Sequence, residues 1–370
     1  MYLTKEEEDI LEGEKGEGYQ KAMELIVALG DISDAEKLIP VHSSQVSGVS
    51  YKTIGDAGLD FLKELAATGV KARIDATLNP MGADPFQWYE LGFSEEFMKK
   101  QMEIIDSYNK LGIRPSCTCT PYLADNIPLK ENSVSWAESS AVVFANSVIG
   151  CKTNRESGIS ALSSALIGKT PLHGLHLNEN RIGTFNVKID TELKNDTDYS
   201  ALGYYIGKHY DGVPVFNNLD PQLEYLKALS AGLGVGQINM FHITSKGEKL
   251  EKISFGKQEL NETYESLNTT EDVDIVCVGC PHCSIREIYD LIKLKPEKNV
   301  WAFTSRHNCN LIKESLGKNI KLISDTCMVV SPLEELDITS IGVTSAKAAF
   351  YSSNLSKLGV KFDSIENLIK

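Results

Sequence analysis

The most constraining feature of this sequence is an alternation of short apolar runs and amphipathic stretches in its last third. Apolar runs at 273–278, 299–303 and 320–323 predict strands, and the stretches 284–294 and 310–317 predict the helices between them. Strands joined through helices pair in parallel, because each crossover returns the chain to the same end of the sheet. The pattern therefore predicts a β-α-β-α-β unit, and ligands of such sheets bind beyond the carboxyl ends of the strands.

Cysteines follow two of these strands. Cys280 comes just after the first predicted strand, and Cys327 comes just after the third. Two loops at the carboxyl ends of parallel strands can face one cleft, however far apart they lie in the sequence. A third thiolate from Cys117 or Cys119 would complete the three-cysteine set of an iron–sulfur cluster with one open iron. Spacing cannot choose between these two, because alternate residues of an extended segment point to opposite sides.

The remaining cysteines have simpler interpretations. Cys277 lies within the first predicted strand, and free cysteines are commonly buried as small apolar side chains. Cys151 and Cys309 are expected to be buried in the same way. The run Cys277-x-x-Cys280-x-x-Cys283 has a ferredoxin-like spacing, but its first member would face the core. We therefore favour the two strand-end thiols over this run.

Charge constrains the partners. The chain has 37 Lys and Arg against 51 Asp and Glu, a formal net charge of −14 at pH 7, and no run of basic residues. Its field repels polyanions, which disfavours a nucleic-acid partner. An anionic small molecule would instead need local guanidinium groups as bidentate clamps. Arg155 and Arg181, each in a segment rich in small polar residues, are the expected clamps.

Composition also predicts a cellular compartment. Eight cysteines in 370 residues are too few for a disulfide framework. The first residues lack the apolar core of a secretory signal, and the most apolar stretch, 141–151, is too short to span a membrane. We expect a cytoplasmic protein with reduced thiols and no membrane partner.

Seven short motifs occur in an order that resembles the aconitase X family. They are His42-Ser43-Ser44-Gln45-Val46-Ser47-Gly48-Val49-Ser50-Tyr51, Thr77-Leu78-Asn79-Pro80, Cys117-Thr118-Cys119-Thr120-Pro121-Tyr122, Trp136-Ala137-Glu138-Ser139-Ser140-Ala141, Thr153-Asn154-Arg155-Glu156, Gly279-Cys280-Pro281-His282 and Asp325-Thr326-Cys327. The resemblance covers roughly residues 1–365. It implies an aconitase-like α/β fold, in which several α/β units with parallel sheets surround a central cleft.

We expect three parts in this fold. Residues 1–115 form an α/β part with substrate-binding loops, and residues 116–265 form a central α/β part with the Cys117/Cys119 loop and Arg155. Residues 266–370 form the β-α-β-α-β part with the loops of the two strand-end cysteines.

The resemblance implies an iron–sulfur hydro-lyase. Its cluster, a [4Fe-4S] cluster with one open iron, would be held by Cys119, with Cys117 as the alternative, together with Cys280 and Cys327. The implied reaction is dehydration of (R)-5-phosphomevalonate to trans-anhydromevalonate 5-phosphate in the mevalonate pathway, and the alternative substrate is cis-3-hydroxy-L-proline. We expect the donors to the anionic substrate to be Ser47, Gly48, Asn79, Ser139, Asn146, Ser147, Arg155 and Arg181.

The family also implies a partner. Its single-chain members carry a further swivelling domain, for which a sequence ending at Lys370 leaves no room. We therefore expect a separate small subunit that carries this domain and supplies a serine as the catalytic base. An interpretation of another class is a non-catalytic metal-binding subunit of a larger complex, which predicts a closed site with four protein ligands.

Overall fold

Helices and strands alternate along most of the chain. The computed structural model describes residues 1–217, 219, 222–244, 250–312 and 315–370. The strands are β1 (Leu38–Pro40), β2 (Ser43–Val46), β3 (Asp75–Leu78), β4 (Ser135–Trp136), β5 (Lys169–Pro171), β6 (Phe185–Ile189), β7 (Pro214–Asn217), β8 (His242–Thr244), β9 (Glu251–Phe255), β10 (Ile275–Val278), β11 (Val300–Thr304), β12 (Ile320–Ser324), β13 (Ser340–Val343) and β14 (Gly359–Phe362). The helices are α1 (Lys5–Leu11), α2 (Glu17–Ile32), α3 (Tyr51–Ala67), α4 (Trp88–Leu91), α5 (Glu95–Lys110), α6 (Ser139–Phe144), α7 (Gly158–Ile167), α8 (Asp196–His209), α9 (Leu223–Leu233), α10 (Lys257–Leu267), α11 (Ile285–Leu294), α12 (Arg306–Leu311), α13 (Ala346–Asn354) and α14 (Ile365–Leu368).

The last third of the chain forms a five-stranded parallel sheet. Its strand order is β12-β11-β10-β13-β14. The strands predicted at 273–278, 299–303 and 320–323 are confirmed as β10, β11 and β12, and the helix predicted at 284–294 is confirmed as α11. The β-α-β-α-β unit is therefore present, and β13 and β14 extend it on the other side of β10.

The helix predicted at 310–317 is wrong in its position. Helix α12 ends at Leu311, and residues 313 and 314 lie outside the described part of the chain. The Ser305 hydroxyl accepts a hydrogen bond from the Asn308 N–H and so caps the helix directly after β11. This capping serine sets an earlier start than the apolar spacing suggests.

The strand order of this sheet reverses at β10. The chain moves outward from β10 through β11 to β12 and then returns to place β13 on the other side of β10. Loops that leave two such neighbouring strands diverge toward opposite faces, which opens a crevice at their carboxyl ends. Cys280 follows β10 and therefore lies at the crevice.

Smaller sheets occupy the rest of the described chain. Strands β3-β2-β4 and β8-β7-β6-β9 form parallel sheets, and β1 pairs antiparallel with β5. The predicted α/β class with several parallel sheets is confirmed. Strand β4 lies in the predicted second part of the chain but pairs with β2, which lies in the predicted first part. The three-part division of the chain stays a prediction.

Local sequence signals set the helix starts. Thr4 and Glu7 form a capping box at α1, in which each side chain accepts a hydrogen bond from the other residue's backbone N–H. The Ser94 hydroxyl caps the long amphipathic α5. Within the described residues, no helix has both the length and the hydrophobicity needed to cross a bilayer.

Helices α8 and α9 pack backbone against backbone. A Cβ atom on Gly203 of α8 would clash with the carbonyl oxygen of Leu229 and lie 2.9 Å from the backbone nitrogen of Leu233. A Cβ on Gly207, one turn later, would lie 2.7 Å from the carbonyl oxygen of Leu233. Both glycines therefore allow the close contact that fixes α9, the helix behind the Cys280 loop.

The variant Gly203→Ala tests this contact. In an exposed helix this change would stabilise the protein by about 1 kcal/mol, but here we expect a loss of about 1–3 kcal/mol through overpacking. Urea unfolding measures the difference. Glu265→Ala, on the exposed face of α10, is the control and should change stability by less than about 0.5 kcal/mol. A stabilised Gly203→Ala variant would contradict the close packing.

Candidate metal and substrate site

Three cysteines from distant parts of the sequence line one cavity. Cys119, Cys280 and Cys327 all border a cavity of about 260 Å³. The cavity lies at the carboxyl ends of the strands, as the β-α-β-α-β pattern predicts. Of the two alternatives in the first cysteine loop, Cys119 borders the cavity and Cys117 is buried in the hydrophobic core.

Strand ends position each thiol. Gly279, between β10 and Cys280, has φ +104°, and a Cβ there would clash with the carbonyl oxygen of Phe303. Only glycine fits this left-handed turn against β11. Cys327 follows β12, and its N–H donates to the carbonyl of Met81 at 3.0 Å. Backbone pairing to a neighbouring segment therefore fixes that thiol.

The imidazole of His282 connects the three cysteine loops. Its Nε2 lies 2.8 Å from the carbonyl oxygen of Thr326 and must donate the hydrogen bond, because a carbonyl only accepts. Its Nδ1 therefore accepts a hydrogen bond from the Thr118 hydroxyl at 3.1 Å. The backbone N–H of His282 also donates to the Cys119 Sγ at 3.1 Å. Burial lowers the pKa of His282 to about 4, so the ring is neutral at pH 7.

The three cavity thiols form a donor set that both zinc sites and iron–sulfur clusters use. Among the residues that the structure describes, the three Sγ atoms do not all lie within 4.8 Å of one another. A single zinc ion, with Zn–S bonds of about 2.3 Å, would draw its thiolates to within about 4 Å of each other. A cluster binds each thiolate to a different iron and accommodates a wider set. Three thiols on one cavity match the donor chemistry of an iron–sulfur cluster, so the residues present fit such a group.

A buried ion pair faces the thiols across the cavity. The Lys347 ammonium contacts the Glu138 carboxylate, and each side chain is about one-tenth exposed. Burial alone would raise the pKa of Glu138. The Lys347 ammonium, together with hydrogen bonds from Asn79 (2.8 Å) and Ser140 (3.0 Å), outweighs this effect and holds the pKa of Glu138 well below its usual range. Burial alone would lower the pKa of Lys347, but the Glu138 carboxylate raises that pKa by a larger amount, so the net shift is upward. Both groups are therefore charged at neutral pH.

Four of the eight predicted substrate residues border this cavity. They are Ser47, Gly48, Asn79 and Ser139. The Asn79 amide is held in place on both sides, because its Oδ1 accepts from Gln45 at 2.9 Å while its Nδ2 donates to Glu138. Substrate binding by these residues remains a prediction.

The other four predicted substrate residues lie outside the cavity lining. Arg181 donates to the side chain of Asn146 at 2.9 Å and to the carbonyl of Cys151 at 2.8 Å. The Ser147 hydroxyl accepts from the N–H of Phe241 at 2.8 Å. These three polar side chains therefore hold neighbouring loops together.

Arg155 lies nearer to the cavity. Its guanidinium donates to the carbonyls of Gly234 and Gly236. Its Nε is buried and has no partner among the described residues. The group lies within electrostatic range of Glu138 and of Tyr351, which both border the cavity.

The other cysteines are placed in apolar surroundings. Cys277 is buried within β10, as its strand position predicts, and Cys151 and Cys283 are buried in separate hydrophobic clusters. Cys309 is partly buried and accepts a hydrogen bond from the Ser324 hydroxyl at 2.9 Å. None of these four borders the cavity.

Sequence reasoning did not assign Glu138 or Lys347 to the site. Glu138 lies within one of the seven motifs, but its charge was given no role there. Lys347 lies in α13, just after β13, and no strand was predicted at 340–343. A signal for this strand is present in the sequence, namely the apolar run Ile341-Gly342-Val343 followed by the capping Ser345. It repeats the pattern of an apolar strand followed by a polar loop that located Cys280.

Family comparisons agree along the chain. Models of the first, second and third domains of aconitase X match residues 1–179, 183–265 and 273–370. The chain is 46% identical to the phosphomevalonate dehydratase large subunit of Methanocaldococcus jannaschii, with 100% of both chains covered. It is 43% identical to that of Methanothermobacter thermautotrophicus, covering 100% of this chain and 98% of the relative.

More distant relatives and a solved structure extend the comparison. The chain is 29% identical to the cis-3-hydroxy-L-proline dehydratase of Pseudomonas aeruginosa, over 98% of this chain and 68% of that one. It superposes on the crystal structure of Thermococcus kodakaraensis aconitase X (holo-form) with a TM-score of 0.92 at 42% identity, covering 100% of this chain and 99% of the other. The aconitase-like fold is thereby confirmed. The chain belongs to the aconitase X family.

Proposed function

We propose that this chain is the catalytic large subunit of an iron–sulfur hydro-lyase that dehydrates (R)-5-phosphomevalonate to trans-anhydromevalonate 5-phosphate. The observation that carries the proposal is the convergence of Cys119, Cys280 and Cys327 on a cavity with a buried Glu138–Lys347 ion pair. Five relatives at 36–46% identity are phosphomevalonate dehydratase large subunits. The hydroxyproline dehydratases are more distant, at 29–30% identity.

The three cavity cysteines would hold a [4Fe-4S] cluster with one open iron, with Cys117 as the alternative to Cys119. When bound, such a cluster supplies a Lewis acid for a hydroxyl that is otherwise a poor leaving group. A closed site would need a fourth protein ligand. The described part of the cavity lining offers no fourth cysteine, and both ring nitrogens of His282 are already hydrogen-bonded. This supports an open site over a structural four-ligand site.

The ion pair gives the cavity a fixed polarity. Among the described residues that line it, Lys347 is the only lysine or arginine, and its ammonium is the expected partner of a substrate anion. Glu138 stays ionised, so it accepts hydrogen bonds from substrate hydroxyls and does not act as an acid. Dehydration breaks a C–H and a C–O bond and releases one water. We propose that the base taking the proton is a serine of the partner.

The partner is proposed to be a small subunit that carries the swivelling domain. Relatives that match this chain from end to end are large subunits. The chain covers only 68% of the hydroxyproline dehydratases, which leaves a further segment in those proteins. We propose that the complex is cytoplasmic and binds neither nucleic acid nor membrane.

The substrate is tested directly with the reconstituted complex of both subunits. We expect turnover of (R)-5-phosphomevalonate and no turnover of cis-3-hydroxy-L-proline. Mass spectrometry of the dehydrated product measures the turnover. The large subunit alone is the control and should show little activity. Turnover of hydroxyproline alone would overturn the substrate assignment, and full activity without the small subunit would overturn the proposed partner.

Alanine variants test the three ligands. Cys119→Ala, Cys280→Ala and Cys327→Ala should each lose most of the bound iron and sulfide after anaerobic reconstitution. Cys117→Ala and Cys283→Ala are matched controls at buried cysteines outside the cavity lining, and should retain wild-type iron. Iron loss in Cys117→Ala with retention in Cys119→Ala would instead make Cys117 the third ligand.

Breaking the buried ion pair should cost both activity and stability. Lys347→Met leaves the Glu138 carboxylate buried without its countercharge, and we expect a loss of about 3–5 kcal/mol in urea unfolding and of activity in the complex. Lys361→Met is the control, because its partner Glu271 is 90% exposed and surface pairs contribute about 0–1 kcal/mol. Similar stability losses in both variants would contradict the role of burial.

The Glu138–Lys347 pair predicts that the stabilities of the wild type and of Lys347→Met depend on pH in opposite directions. In the wild type the pKa of Glu138 is lowered, so its contribution is present above the unfolded value of about 4.3 and is lost as pH falls below it. In Lys347→Met, burial raises that pKa, so its contribution is lost as pH rises. Unfolding free energies between about pH 3 and 7 measure both slopes. Parallel pH curves would contradict this assignment.

A further inference from the structure

Lys227 is a buried lysine outside the cavity lining. It lies on α9, and its side chain is only 4% exposed. Its ammonium donates to the carbonyl oxygen of His282 at 2.9 Å and lies 3.5 Å from that of Pro281. Its third partner is the carboxylate of Glu287 on α11. A protonated lysine has three N–H donors, and two of them are directed at the backbone of the Cys280 loop.

The rear face of that loop is not closely packed. A cavity of about 20 Å³ lies behind Cys280 and Pro281, and Lys227 forms part of its wall. This is room for about one water molecule. Asp196 and Glu287 border both this cavity and a larger one of about 470 Å³. The hydrogen bonds from Lys227 therefore hold the loop beside a void that side chains leave unfilled.

The Lys227 ammonium also lies near one of the three cavity thiols. Burial lowers the pKa of Lys227, but the Glu287 carboxylate raises it by more, so the ammonium stays protonated. It lies within electrostatic range of Cys119 and Cys283. A fixed positive charge close to a thiolate stabilises the anion. Lys227 is thus the cation on the protein side of the loop, whereas Lys347 faces the cavity.

We propose that Lys227 is a positioning residue for the iron–sulfur site, which fixes the loop from Cys280 to His282 and places a permanent positive charge behind it. The inference rests on the proposed function, because it assigns Lys227 to the cluster that Cys280 would bind. Two consequences follow. The cluster is lost faster without Lys227, and its reduction potential falls, because a nearby positive charge favours the more negatively charged reduced cluster.

The first test measures cluster loss from the reconstituted protein in the presence of an iron chelator. Lys227→Met keeps the side-chain length but removes donor and charge, and should lose iron roughly tenfold faster than the wild type, since the charged hydrogen bonds to the loop backbone are lost. Lys227→Gln keeps a hydrogen-bond donor, so its rate of iron loss should lie between those of the wild type and Lys227→Met. Lys293→Met, at a lysine that is 74% exposed, is the control and should match the wild type. The midpoint potential should fall in both Lys227 variants and not in the control.

The second test measures the mobility of the Cys280 loop in protein that contains no iron. In the apo protein, the rate of amide hydrogen exchange in the peptide that contains Cys280 and His282, measured by mass spectrometry, should rise in Lys227→Met and remain unchanged in Lys293→Met. If Lys227→Met does not fold by circular dichroism, Lys227→Gln carries the same comparison. Equal exchange rates and equal iron retention, with iron bound by the wild type, would overturn this inference and leave the proposed function standing. A wild type that binds no iron would overturn the proposed function, and the inference with it.

Discussion

The arrangement of the site depends on one buried, neutral imidazole. The ring of His282 is hydrogen-bonded on one side to Thr118 and on the other to Thr326. Each of these three residues lies within two positions of a cavity cysteine, namely Cys280, Cys119 and Cys327. Thr118 lies against the three-stranded sheet, whereas the other two follow strands of the five-stranded sheet. A single side chain therefore ties together two separately formed sheets and sets the spacing of three thiols.

Buried charge complements this network in an acidic chain. The formal net charge is −14, yet cations are concentrated close to the cysteine loops. Lys347 pairs with a carboxylate on the cavity, Lys227 holds the Cys280 loop from behind, and Arg306 contacts the carboxylates of Asp84 and Asp325 beside the Cys327 loop. Each pair is at least partly shielded from water, so its attraction is stronger than at the surface. Each of these cations is matched by at least one carboxylate, so the buried charges beside the thiols are balanced in pairs.

The sequence was sufficient to predict the features that depend on strand ends. Parallel pairing in the last third follows from the alternation of strands and helices, and it led to Cys280 and Cys327 as neighbours. The choice between Cys117 and Cys119 needed the structure, because Cys117 has a φ of +44°, and this turn breaks the simple alternation of an extended segment. Lys227 could not be predicted, because it binds backbone carbonyls, which every residue has and no sequence motif marks.

We propose that three thiols from two sheets bind a polynuclear iron–sulfur cluster with one open iron. The most direct measurement is the iron and acid-labile sulfide content of the wild-type chain after anaerobic reconstitution, together with its electron paramagnetic resonance spectrum with and without substrate. We expect several irons and a matching amount of sulfide per chain, and a cluster signal that changes when substrate is added to the complex. One metal ion per chain without sulfide, or a cluster signal that substrate leaves unchanged, would contradict it.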